Sequence, residues 1–337
     1  MTRADLGLLD ETSAIGWARD RGVVPADAPV AARALSGGIS NIVLALSWPG
    51  GDAVIKQSLP ELRVAQHWQF DRARVITERR AIDYLGTVIP GHVPRILAFD
   101  DDSFAFAMTM APHGGEVWKS RLLAGQFDPA IAGAAGRTLA QIQVASRRDR
   151  RALTAFEDRM PLVQGRIEPY HHAAAERNPE IAHLVRAHAE RLERAREVLV
   201  LGDYAPKNLI ASADGVFVID LEVAHLGDPA FDVAFLLTHL VLKQLVLPER
   251  SGDLLMLAEQ FWSAYRLAAG PAAAPDDDVR VALGCLLLAR VDGKSPVEYL
   301  GVHGPSVREM AKYALLESDE SVPALLRSLL QPPRELR

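Results

Sequence analysis

The first third of the chain sets short apolar runs between turn residues. PVAARAL (29–35), NIVLALSW (41–48) and DAVIKQS (52–58) have strand length and β-branched content, and WPGGD between the last two predicts a hairpin turn. SGGIS (36–40) reads as a flexible loop between the first two runs. RARVITERRAIDYLG (72–86) then spaces Val75, Ile82 and Leu85 near the helical period, with Gly86 expected as its stop. Two further runs, RILAFD (95–100) and FAFAMTM (104–110), flank an acidic turn, DDDS. The expectation is a small sheet with one helix.

After APHGG (111–115) the texture changes to long Ala- and Leu-rich helical stretches, among them DPAIAGAAGRTLAQIQVAS and NPEIAHLVRAHAERLERAREVL. Pro112, Gly114 and Gly115 mark a hinge. An α+β lobe over residues 1–111 and a mostly helical lobe over 112–337 are expected, with small ligands in a cleft between them. A chain of 337 residues suits two lobes rather than one.

Composition changes this picture little but narrows the partners. With 49% hydrophobic and 24% charged residues the chain is of ordinary globular type. Its 37 basic and 43 acidic residues give a net charge of -6, which argues against nucleic acid and for small molecules. The N-terminus has no uninterrupted apolar run of a secretory signal, and FDVAFLLTHLVLKQLVL is too short and too polar to span a membrane. Cys285 has no disulfide partner and lies in an apolar run, so a buried thiol in a reducing cytoplasm is expected.

The chemistry concentrates in LGDYAPKNLIASADGVFVIDLEVAHLGDPAFDVA (201–234). Asp203 and Asn208 form D-x-x-x-x-N, and Asp220 closes the apolar run VFVID after an Asp-Gly turn. If NLIAS and VFVID pair as a hairpin, Asn208 and Asp220 meet at one edge, beside Asp203. Two such hard oxygen donors suit Mg²⁺. Asp203, Asn208 and Asp214 are also common turn residues, but a carboxylate after VFVI is costly to bury without a partner or cation.

LGDYAPKN, IDLE and GDPAFD, in this order, resemble the aminoglycoside phosphotransferase and choline kinase family, whose motifs read H-G-D-x-x-x-x-N, I-D-x-E and G-D-P-x-x-D. The resemblance implies a bilobal protein-kinase-like fold and ATP-dependent transfer of a phosphoryl group to a sugar, aminoglycoside-like or aminoalcohol hydroxyl. It implies Asp203 as catalytic base, Asn208 and Asp220 as Mg²⁺ ligands, Asp232 as a buttress of the catalytic loop, and Glu222 as a helper through metal-bound water. It also asks for a strand lysine and a helix glutamate, which Lys56 and Glu78 supply. Ser36, Gly37, Gly38 and Ser40 would contact phosphates, and backbone groups from Thr109 to Ala111 the adenine. Leu201 stands where the family carries histidine, so packing is expected to replace a hydrogen bond there.

Other signals are discounted. Gly293-Lys294-Ser295 is no Walker A motif, because Leu288 stands where glycine is required. Arg290, Asp292 and Lys294 either line the acceptor pocket or are a helix cap and surface charges. Lys207 either touches the transferred phosphate or is solvated. Trp118 reads as core or pocket wall. His171 and His172, as helix neighbours, point apart rather than chelate. The rival to a kinase is a nucleotide-binding pseudokinase acting as a scaffold, which rests on Leu201 alone. A protein kinase is disfavoured by YAPKN and by IDLE in place of D-F-G.

Overall fold

The computed structural model describes residues 7–35, 40–62, 68 and 70–330. The chain divides into two compact units, Met1–His113 and Gly114–Arg337. Ser36, Gly37 and Gly38 lie outside the described residues.

The first unit is a five-stranded antiparallel sheet in the order β1-β2-β3-β5-β4, with β1 Ala31–Ala34, β2 Asn41–Trp48, β3 Gly51–Ser58, β4 Ile96–Asp100 and β5 Ala105–Met108. The β2–β3 hairpin pairs Trp48 with Gly51, as the WPGGD turn predicts. Alternation along the strands gives the sheet two faces. Leu44, Leu46, Ile55 and Ala107 join Ala14, Trp17 and Ala18 of helix α1 (Glu11–Asp20) in one core. Sequence reading gave no sign of α1. Its signal is the capping box, in which Asp10 accepts from the Ser13 N–H and Ser13 Oγ accepts from the Asp10 N–H. Lys56, next along β3, belongs to the opposite face.

Helix α2 (Arg74–Val88) runs two residues past the stop expected at Gly86, and Ile89 caps it. A helical glycine costs only about 1 kcal/mol relative to alanine, so Gly86 alone does not end a helix whose Val75, Ile82 and Leu85 are buried. The chain turns instead at Pro90 and Gly91, where φ reaches +82°.

The second unit is mostly helical. Its longest helices, Pro129–Ser146 and Ser251–Ala269, touch so closely that a Cβ on Gly136 would sit 2.4 Å from the Phe261 carbonyl oxygen. Two small sheets interrupt the helices: β6 (Glu116–Val117) with β8 (Leu209–Ser212) and β9 (Gly215–Val218), and β7 (Val198–Val200) with β10 (His225–Gly227). Cys285 is buried in helix Asp276–Asp292. No helix among the described residues is long and apolar enough to cross a membrane.

Candidate active site

The segment 201–234 folds as a loop, a hairpin and a helix, each fixing one functional group. β8 and β9 pair in register from Leu209 with Val218 to Ser212 with Gly215, around the Ala213-Asp214 turn. The open end of this hairpin holds Asn208 and Asp220 together, and the Ile219 N–H donates to the Asn208 carbonyl at 3.0 Å. Asp220 adopts φ +64°, a left-handed conformation that non-glycine residues rarely take and that clusters at functional sites. The Asp220 and Glu222 carboxylates lie within 4.8 Å of one another. Asn208 Nδ2 donates to the Asp203 carbonyl at 3.0 Å, which ties the hairpin to the loop.

Asp203 is held by two cations. Lys207 Nζ lies 2.7 Å and Arg166 Nη2 3.5 Å from its Oδ2. Burial acts to raise the Asp203 pKa, but Lys207, Arg166 and, further out, Arg290 outweigh it and hold the carboxyl at about 2. The group is therefore an anion at any physiological pH.

Arg166 was not visible as a site residue in the sequence. It comes from Val163–His172, a stretch with π-helical hydrogen bonding, a feature frequent at functional sites. Its guanidinium is buried, donates from Nε to the Gly202 carbonyl at 2.6 Å, and lies 4.8 Å from the Tyr170 ring centroid. Gly202 itself has φ +77°, and a Cβ there would meet Val223 Cγ1 at 2.8 Å, so only glycine fits.

The question raised by Leu201 is answered by its backbone. Its side chain is buried, while its N–H donates to Asp232 Oδ2 at 2.6 Å and the Gly202 N–H to Oδ1 at 2.9 Å. Asp232 stands in the first turn of helix Ala230–Lys243, and burial pushes its pKa up to about 7 against the pull of those two N–H groups. The preceding Asp228 accepts from the Ala230 N–H at 2.9 Å and pairs with Arg191 at 2.7 Å. GDPAFD thus anchors a helix start with its first aspartate and the loop at Leu201 and Gly202 with its second.

In the first unit, Lys56 Nζ lies 2.6 Å from Glu78 Oε2, with both side chains buried. Ser40 is buried too: its hydroxyl accepts from Asn41 Nδ2 at 2.9 Å and its carbonyl from the Leu59 N–H at 2.9 Å. The Thr109 N–H donates to the Arg95 carbonyl at 3.0 Å and its hydroxyl accepts from the Arg95 N–H at 3.0 Å. That N–H is committed within the unit, and Ala111 is half-buried.

The discounted signals resolve locally. Gly293 ends helix Asp276–Asp292, and the Lys294 N–H donates to the Pro169 carbonyl at 2.7 Å, so no phosphate loop forms. Asp292 is buried against Arg308 at 2.6 Å and Asn178 at 2.9 Å, which makes it a structural ion pair. His171 is buried 5.3 Å from the His188 ring while His172 is exposed. Trp118 is core.

The chain has relatives on both the sequence and the structural side. The model of the phosphotransferase enzyme family matches residues 31–274. Methylthioribose kinase of Bacillus cereus (strain G9842) is 23% identical over 286 residues, 76% of this chain and 72% of that protein. Choline kinase of Cryptosporidium parvum Iowa II has a similar structure, with a TM-score of 0.56 at 14% identity over 91% of this chain and 98% of that one. A choline/ethanolamine kinase family protein of Mesorhizobium loti gives 0.50 at 14% identity, over 94% and 98%. The fold is the α+β kinase-like fold that the motifs imply.

Proposed function

The chain belongs to the phosphotransferase enzyme family, and on that premise we propose that it is an ATP-dependent kinase of a small hydroxylated metabolite, with Asp203 as its catalytic base. The observation that carries this reading is the setting of Asp203: an anion braced by Lys207 and Arg166, beside a hairpin end that joins Asn208 to Asp220. A carboxylate with a pKa near 2 is a weak base. Phosphoryl transfer asks little more, because its loose transition state depends on position and charge more than on early proton removal. Asp203 orients the acceptor hydroxyl in line with the γ-phosphate and takes its proton as the new ester bond forms.

The donor set fits Mg²⁺. The Asn208 side-chain amide oxygen and the carboxylates of Asp220 and Glu222, the last two within 4.8 Å of each other, are hard oxygen donors. Asn208 and Asp220 would hold the ion, and Glu222 would orient a water on it. When bound, Mg²⁺ neutralises charge on the phosphates. Lys56, fixed by Glu78, would supply a cation to the nucleotide phosphates, and Ser36, Gly37, Gly38 and Ser40 are proposed as backbone and hydroxyl donors to them. The adenine would meet backbone groups near Thr109 and Ala111. A cytoplasmic setting suits the buried thiol of Cys285. The relatives are kinases, which leaves the scaffold reading without support.

The test has two parts. Thermal shift with ATP should show stabilisation that depends on Mg²⁺, and ADP release should rise above background with at least one hydroxyl compound. Metal-dependent binding without turnover on any acceptor would instead favour a scaffold.

A further inference from the structure

Lys207 and Arg166 are accounted for by Asp203, but three more cations of the helical unit gather behind them. Lys243, at the end of helix Ala230–Lys243, is 1% exposed, and its Nζ donates to the His239 carbonyl one turn back at 3.2 Å. The same ammonium lies 5.8 Å from the Tyr299 ring centroid, and Lys119 Nζ lies 5.9 Å from that centroid. Arg290 is buried, donates to Tyr170 Oη at 2.7 Å, and sets its guanidinium 5.5 Å from the Tyr170 ring that Arg166 also meets. Among the described residues, no carboxylate forms an ion pair with Lys119, Lys243 or Arg290. Two polar groups in the same place are also unsatisfied: His239 Nε2 and Arg290 Nε are buried without a hydrogen-bond partner. Phe235, Thr238, His239, Leu286 and Arg290 pack around a narrow gap too small to admit a water molecule, so an anion would meet the cluster from the side of Lys119 and Tyr299.

Buried cations without counter-ions are costly, and proteins keep them paired or deprotonated. Lys243 shows the strain: burial first, then Lys119 and Arg290, push its pKa down to about 7. A core built only for stability would place an apolar side chain there.

We propose that Lys119, Lys243 and Arg290 receive an anionic group of the acceptor, a carboxylate or a phosphate, so that the enzyme phosphorylates negatively charged hydroxy compounds. This rests on the kinase reading above and names the substrate class of that site. The cluster belongs to the same cation network as the base, since Arg290 acts electrostatically on Asp203 and shares Tyr170 with the Arg166 that holds it. One molecule would then offer its hydroxyl to Asp203 and its anionic end to the cluster. Aminoalcohols and aminoglycosides carry the wrong sign, and like charges brought together this way are strongly disfavoured.

The experiment compares matched acceptors at equal concentration with ATP and Mg²⁺, reading ADP release. Glycerate and gluconate form the carboxylate arm, glycerol 3-phosphate the phosphate arm, glycerol and glucose the neutral arm, choline and ethanolamine the cationic arm. An anionic arm should exceed its neutral counterpart by at least about tenfold in kcat/KM, the smallest ratio expected of one desolvated charge contact, and the better arm identifies the group. Lys243→Met and Arg290→Met should each raise KM for that acceptor by about tenfold or more, and Arg290→Lys should recover part of the loss, as a packing defect would not. Equal or better turnover of neutral or cationic acceptors would overturn the anionic assignment and leave the kinase reading standing. Unchanged KM in both methionine variants would overturn it too. No ADP release above the acceptor-free rate in any arm would overturn the kinase reading, and this inference with it.

Discussion

If Lys243 is kept for binding, its removal should stabilise the fold, and the gain should follow a defined pH course. Burial beside Lys119 and Arg290 lowers the ammonium pKa to about 7 in the folded chain, against the ordinary lysine value of 10.5. The unfolded chain therefore holds the proton throughout the window between those values while the folded chain gives it up, so stability rises with pH from about 7 to 10.5. Below that window the buried cation costs the fold about 5 kcal/mol, from roughly 1.36 kcal/mol for each pKa unit. Lys243→Met removes this cost and keeps most of the side-chain volume, but forfeits the hydrogen bond to His239, worth about 1 kcal/mol. The variant should then be more stable than the parent by about 4 kcal/mol at pH 6, with the difference falling towards zero or slightly below it by pH 10. The facing groups are Lys119, Arg290 and His239, with Tyr299; only His239 titrates in the lower part of the range, and burial keeps it neutral by lowering its pKa well below the usual value. Urea unfolding of both proteins at pH 6, 7.5 and 9 measures the difference. A methionine variant less stable than the parent at pH 6, or a difference that does not change with pH, would refute the assignment of Lys243 as an uncompensated buried cation.

Three further outcomes follow from the site geometry. Asp232→Ala leaves the N–H groups of Leu201 and Gly202 without their acceptor, so denaturant unfolding should show a loss of about 3 kcal/mol, and a loss below about 1 kcal/mol would mean the loop stands without that brace. Lys56→Met breaks the buried ion pair with Glu78 and should raise the KM for ATP by about tenfold or more while costing about 3 kcal/mol of stability; unchanged ATP kinetics would remove Lys56 from the nucleotide site. Chelating divalent cations should abolish turnover, and adding Mg²⁺ back should restore it; full activity in excess chelator would exclude Asn208 and Asp220 as required ligands.

What could be read in advance was local. The hairpin, its Asp-Gly turn and the meeting of Asn208 with Asp220 follow from period-two patterning and a short loop, since neighbouring strands pair when the turn allows nothing else. Lys56 and Glu78 were legible as a demand of the motif order, with the ion pair as its expression in three dimensions. Arg166 and Lys243 were not, because a buried cation in a helix carries no spacing signal and is marked only by what distant segments bring to it: Asp203 and Gly202 to the first, Lys119 and Arg290 to the second. Lys207 was left open between phosphate and solvent, and its side chain, though 42% exposed, rests on Asp203. Helix α1 escaped notice for a related reason. Its polar exposed face hides three buried residues, Ala14, Trp17 and Ala18, whose core partners lie on separate strands, from Ala32 to Ala107.

The central claim is that Asp203 takes the proton of an acceptor hydroxyl during transfer from ATP. Its most direct test is a single-turnover reaction with γ-labelled ATP, Mg²⁺ and the best acceptor of the panel, run in parallel with the parent enzyme and Asp203→Asn. The parent should move label onto the acceptor hydroxyl as a phosphate monoester, while the variant binds ATP within about twofold of the parent and transfers at least about 10³-fold more slowly, the order expected when a positioned base is lost. Label transfer by Asp203→Asn at the parent's rate, or ADP formation with no labelled acceptor, would contradict the account.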